Sequence, residues 1–204
     1  MRSVTKRPGR PPSYDRDKAL GAITDLFWTH GFAATSLDGI AKATGMSRPS
    51  LYAAFGDKRE MYLLALRSFA DSALRGMADA LSRPKLKDAL SAFFDQAIDC
   101  YTTGLSARGC FIACSGVHEA ANDDGVHASV SLAFSDIDAL LEDRLRRAEE
   151  GGELPIDFTI ENGVRLVSCI LHSIAVRARA GASHAELRAL ATTAIHVMSI
   201  DRPN

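Results

Sequence analysis

The chain has 204 residues, 47% hydrophobic and 24% charged, with a net charge of −1, which allows one large globular domain or two modest ones. The uncharged apolar run between Arg165 and Arg177 is 11 residues, too short to span a bilayer, and the basic N-terminus has no apolar stretch after it to act as a signal peptide. Four cysteines, at 100, 110, 114 and 169, lack the paired spacing of a secreted disulfide scaffold, so a reduced, cytoplasmic protein without a membrane partner is expected.

The near-neutral total hides an asymmetry. Residues 1–59 carry ten Lys/Arg against five Asp/Glu, and residues 60–204 carry fourteen against twenty. A basic front end on an acidic body points to a polyanion met by the front end alone. Residues 1–13, "MRSVTKRPGRPPS", hold four basic residues, three prolines and no acid. Such a segment buries no apolar area, and it reads either as a flexible arm whose Lys6, Arg7 and Arg10 reach the minor groove or flanking phosphates, or as a plain solvated tail.

From Tyr14 onward the pattern is helical. Ala19, Ile23, Leu26, Phe27 and Trp28 recur at helical spacing, and Gly31 is expected to end that helix. Thr35 with Asp38 reads as a capping box opening a short helix over 35–43, and Gly45 makes a tight turn. Ser47 caps a helix over 47–55 with Pro49 in its first turn, where a missing N–H costs no internal bond. Asp57 and Glu60 form a further box that starts a long helix over 57–81. Beyond Pro84, Leu86, Leu90, Phe93, Phe94, Ile98 and Tyr101 form one apolar stripe. The segment "RGCFIACSGVHEA" predicts another helix, and further helices follow over about 125–150, 159–180 and 184–200, the last opened by a Ser183/Glu186 box. No alternating β-branched run or hairpin dipeptide signals a sheet. The expected fold is all-α.

Two short helices joined by a turn match a helix-turn-helix, whose second helix enters the major groove. That geometry explains "SRPSLYAAFGDK". Short side chains at Ser47 and Ser50 let the backbone approach DNA, while Arg48 and Tyr52 offer donors to base edges and phosphates. Lys58 adds a charge at the start of the long helix. The segment "TSLDGIAKATGMSRPSLYAAFGDKREMY" resembles the DNA-binding signature of TetR/AcrR-type repressors. The resemblance covers roughly residues 14–66. It implies DNA contacts from Thr35, Ser36, Ser47, Arg48, Pro49, Ser50, Tyr52 and Lys58. Ala53 and Ala54 depart from it, standing where members often carry an aromatic and a His. The resemblance further implies a homodimer through the helices at about 159–180 and 184–200. The residues agree, because Val164, Val167, Ile170, Leu171, Ile174 and Val176 are apolar on most sides of one helix. The domain plan is therefore a basic arm (1–13), a DNA-binding domain of three helices (14–60) and a helical effector-binding and dimerisation domain (61–204).

The effector side leaves alternatives open. Cys110, Cys114 and His118 stand at i, i+4 and i+8, on one face of a regular helix. They read as small core residues, as a thiol switch with Cys110 activated in a first helical turn beside Arg108, or as three ligands of a soft metal. A pocket for an apolar molecule is the further option, lined by Phe93, Phe94, Ile98, Tyr101, Phe111 and Phe134 with His118, Ser168 or His172 as polar contacts. No P-loop, HExxH, GxGxxG or GxSxG motif suggests an enzyme, and no cofactor is implied. The reading is a regulator, acting as a repressor, that binds a palindromic operator as a homodimer and is released by a small-molecule, oxidant or metal effector. Its rivals are a constitutive architectural DNA binder and a small-molecule binding protein that ignores DNA.

Overall fold

Short polar caps set the helix boundaries of this chain. The computed structural model describes residues 14–103, 108–155 and 158–198, and regular structure among them is helical throughout. α1 (Arg16–Ala34) starts at Asp15, whose carboxylate accepts from the N–H groups of Asp17 and Lys18. Gly31 does not end it. With φ at +77° it kinks the helix, which resumes for a last turn to Ala34, a conformation that glycine takes without a Cβ penalty. α2 (Leu37–Thr44) is capped by Ser36 rather than Thr35: the Ser36 hydroxyl accepts from the Gly39 N–H at 3.0 Å. Gly45, at φ +67°, closes α2 and turns the chain into α3 (Arg48–Phe55). α4 (Lys58–Leu81) opens with the complete Asp57/Glu60 box.

α5 (Leu86–Thr102) follows. The segment expected as one helix after it is irregular. It contains a π turn (Ile112–Gly116), in which the Val117 N–H reaches the carbonyl of Ile112, and a single short α6 (Val117–Ala120). α7 (Asp124–Glu150), α8 (Ile160–Arg179) and α9 (His184–Met198) complete the described chain. The Ser183/Glu186 box before α9 is reciprocal, each residue accepting from the other's backbone N–H.

Two buried clusters hold these helices together. One joins α1, α2, α3 and the first half of α4 to Phe111, Ile112 and the N-terminal half of α7. The other joins the end of α4 to α5, α8, α9 and the C-terminal half of α7. α4 thus belongs to both: Met61 to Phe69 serve the first and Met77 to Leu81 the second. Arg144, 2% exposed, ties the α4–α5 turn to α7 by donating to the Pro84 carbonyl at 3.0 Å, with Glu153 at 3.6 Å. Glu153 in turn accepts the first N–H of α5, from Leu86, at 2.7 Å. A buried charge is tolerated here because carbonyls and a carboxylate surround it.

Candidate nucleic-acid interface and cavity

The exposed end of α3 is built by its own cap. The Ser47 hydroxyl accepts from the Ser50 N–H at 3.3 Å, and the two hydroxyls lie 2.9 Å apart. Leu51 and Phe55 are buried beneath, which leaves Ser47, Arg48, Pro49 and Tyr52 facing outward. The fit is amphipathic: one face holds the helix down and the other stays short and polar. Ser36 is also exposed, at the start of α2. Lys58 begins α4 with its ammonium 4.5 Å from the centroid of the Phe32 ring. Arg48 is not free. Its guanidinium pairs with Asp38 of α2 at 2.6 Å, and that hydrogen-bonded carboxylate raises its pKa further. Both partners are exposed, so solvent screens the pair and it exchanges readily.

Thr35 leaves the set of DNA-facing residues. Its side chain is 3% exposed and donates to the Gly31 carbonyl at 2.7 Å, closing the kink of α1. Two basic residues join the face without having been singled out. Lys18 lines a surface groove with Ser47, Ser50 and Gly45, and Arg16 stacks 5.1 Å from the Phe55 ring while donating to the Ala54 carbonyl. Their position in the first turn of α1 was the available signal. Lys6, Arg7 and Arg10 lie outside the described residues.

A cavity of about 40 Å³ opens along α4, at the seam between the two core clusters. Phe69, Leu74 and Met77 of α4 wall it on one side, with Ile137 of α7 and Leu171 of α8 opposite. Of the residues expected to line a pocket, Tyr101, Cys110, Phe134 and His172 do so. Phe93, Phe94 and Ile98 do not: they are 0% exposed within the second cluster. Phe111 is likewise core, edge-on to both Tyr62 and Phe69. The Ser168 hydroxyl donates to Asp138, and His118 is exposed on α6. The α4 wall was missed because its apolar residues read equally well as ordinary helix packing. Burial lowers the His172 pKa against the opposing pull of Asp138, so its imidazole is neutral at pH 7. Asp71 and Asp136 also line the cavity, and no Lys or Arg among the described residues does.

Of the three readings of the cysteines, the thiol switch and the soft-metal site lack the geometry they need, while the reading as small core residues fits, since Cys110 and Cys114 pack against the buried clusters. Cys110 precedes the helical segment instead of sitting in its first turn. Arg108 turns its guanidinium onto Trp28 and Asp25. Burial pushes the Cys110 thiol up to about 11, so the thiolate that a switch needs is disfavoured. Cys114 hydrogen-bonds the Ala175 carbonyl at 3.6 Å, with its pKa also raised by burial, while Cys169 is exposed. The Cys114 N–H still bonds the Cys110 carbonyl at 2.8 Å, and the π turn that follows, in which the Val117 N–H reaches back five residues to the Ile112 carbonyl, takes His118 out of the α-helical register. Cys110, Cys114 and His118 therefore do not converge, and no three His, Cys, Asp or Glu gather at metal-binding distance among the described residues.

This architecture has a recognised pattern on both sides. Residues 19–65 match the family of bacterial regulatory proteins named for TetR, and residues 87–195 match the tetracyclin repressor-like C-terminal domain. The chain belongs to the TetR family. It is a DNA-binding transcriptional regulator. This TetR-family chain is 29% identical over 196 residues to the transcriptional repressor ComR of Escherichia coli K12, covering 95% of this chain and 93% of ComR. It is 28% identical over 203 residues to the repressor BdcR of the same strain, covering 94% of each. Among solved structures, a cysteine-substituted form of the TetR-family regulator CifR bound to 26-base-pair operator DNA superposes with a TM-score of 0.84. That match is 26% identical and covers 93% of this chain and 100% of CifR. No helix among the described residues is long and apolar enough to cross a membrane.

Proposed function

We propose that this TetR-family protein is a repressor that binds a palindromic operator as a homodimer and releases it when a small apolar molecule enters the α4 cavity. One observation carries the reading: the helix whose first turn closes the DNA-reading pair also walls the cavity with Phe69, Leu74 and Met77. A change in the cavity therefore acts on the helix that sets the spacing of the two recognition helices, roughly 34–36 Å in a symmetric dimer. The effector does this only by binding the released conformation more tightly. ComR and BdcR are repressors by name and CifR was solved on operator DNA, which supports repression at an operator.

In this reading the DNA-binding domain spans 14–60, with α4 shared between it and the effector domain of 61–204. Ser47, Arg48, Ser50 and Tyr52 meet bases and phosphates, with Pro49 holding the close approach. Ser36 and Lys58 anchor phosphates, and Lys6, Arg7 and Arg10 follow the groove beside the site. Val176 on α8 is 58% exposed and Val197 on α9 is 54% exposed; isolated valines on adjacent helices suit burial by a second copy. Two carboxylates, with no Lys or Arg among the described lining residues, favour a neutral or cationic effector over an anionic one. The protein works in the cytoplasm and performs no catalysis.

A mobility-shift titration against the DNA upstream of its own gene tests the reading. The expected result is a discrete complex on one palindrome, with far weaker binding to random duplex. Equal affinity for both duplexes favours the architectural binder, and no complex at all favours the DNA-independent rival.

A further inference from the structure

The protein has one tryptophan, Trp28, and it stands where the DNA-binding part meets two walls of the cavity. It lies on α1 and is 7% exposed. Its ring sits edge-on to Phe69, with centroids 4.8 Å apart, and Phe69 is a cavity wall. Its indole N–H donates to the Gly109 carbonyl at 2.9 Å, and the next residue, Cys110, is a second cavity wall.

The contacts around it leave little slack. Arg108 covers the indole face at 3.8 Å and pairs with Asp25, one turn earlier on α1, at 2.8 Å. The backbone carbonyl of Trp28 accepts from Arg179 at the end of α8 at 3.2 Å, and Arg179 also donates to the Arg108 carbonyl at 3.1 Å. Gly109 holds a φ of +65°, and a Cβ there would lie 2.5 Å from the Ala175 carbonyl oxygen and 2.8 Å from the Cys114 sulfur. The Gly109 carbonyl is thus wedged between α8 and the indole. α1 in turn packs on both α2 and α4.

We infer that Trp28 is the positioning residue that passes the state of the cavity to the helix-turn-helix. A cavity of about 40 Å³ holds no organic molecule without moving its walls. Close-packed interiors respond to such movement by switching between discrete packings rather than by absorbing it. Phe69 and Cys110 are the two walls that cannot shift without carrying the indole or breaking its buried hydrogen bond. Trp28 then moves α1, and α1 moves α2 against α3. This route runs beside α4 and depends on the proposed release by cavity occupancy.

The test uses the full chain, a palindromic operator duplex and a built-in cavity filler, so no effector need be known. Ala133 lines the cavity from α7, 6% exposed, and Ala133→Met fills it; Leu171→Phe on α8 is a second filler. Each is measured alone and combined with Trp28→Phe, which keeps an aromatic ring but loses the N–H. Arg108→Met replaces it if Trp28→Phe does not melt cooperatively. The filler should weaken operator binding by about ten-fold in the otherwise native chain and shift the emission of Trp28. In the Trp28→Phe background the same filler should cost less than about three-fold in operator affinity while its effect on Tm stays additive, a split that relieved crowding around a purely structural tryptophan would not produce, since that would appear in Tm as well. If the filler costs the same factor in both backgrounds, or leaves the emission of Trp28 unchanged, Trp28 is only core and the inference fails while release by cavity occupancy stands. If neither filler weakens operator binding in the native background, the cavity is not linked to DNA and the proposed release fails as well.

Discussion

Arg48 carries a constraint that its position alone does not reveal. The guanidinium is drawn to Asp38 on the neighbouring helix, so in the proposed interface DNA would compete with a carboxylate already in place. Arg48→Ala is expected to cost about 1–3 kcal/mol in operator affinity and to relax preference at one base pair of each half-site. Asp38→Asn should do the reverse for non-specific DNA, raising affinity for random duplex and steepening its salt dependence, both measurable by fluorescence anisotropy across a salt series. His172 gives a second residue-scale prediction. Its folded pKa lies below its ordinary 6.5 because of burial, so it supports the fold fully above that value and less as pH falls through the folded pKa. Thermal melts from pH 8 to pH 5 should show a steeper loss of Tm in the native chain than in His172→Gln. The serines of α3 were legible from sequence because caps and exposed short side chains follow from local chemistry. Thr35 was not: only the kink at Gly31 reveals the carbonyl that turns its hydroxyl inward.

At the scale of elements, boundaries marked by a cap were readable, and those set by tertiary contact were not. Ser47, Asp57, Thr159 and Ser183 each stand immediately before a helix as their side chains predict. The stretch from Arg108 to Ala120 reads as a regular helix because its apolar residues recur at three and four. Its actual course follows from Gly109, held in the left-handed region against α8, and from the π turn that comes after. Gly109→Ala is accordingly expected to lose about 2–4 kcal/mol of stability, combining an unfavourable backbone conformation with a backbone clash that no rotamer relieves. Chemical denaturation of the variant measures it. By contrast, the Cβ added by Gly76→Ala meets the amide end of the Gln96 side chain, which can turn away, and this change should be close to neutral.

For the whole molecule, sequence showed that α8 is apolar on most sides, and the structure divides those sides. Val167, Leu171 and Ile174 are buried within one chain, while Val176 is not. Val176→Asp should therefore leave helicity and the melt of the isolated chain intact, since the side chain is 58% exposed. It should convert the protein to monomer in sedimentation velocity and weaken operator binding at least about ten-fold, because one half-site alone is held. The charge asymmetry belongs to the same scale. A basic front and an acidic body turn the molecule toward DNA before contact, an effect on association rate that fades with salt.

The narrowness of the seam along α4 also sets a tempo. Ligand sites run to roughly 300–1,000 Å³, whereas this space measures about 40 Å³, so the proposed release requires a wider form than the one this structure holds. If the proposed release holds, entry waits on spontaneous opening, and the apparent affinity of an inducer is lowered by the fraction of time the walls stand apart. Stopped-flow dissociation from operator should consequently level off at high inducer concentration, at a rate that belongs to the protein and not to the compound. Chemically different inducers would then differ in how much DNA they free, but share one ceiling on how fast they free it.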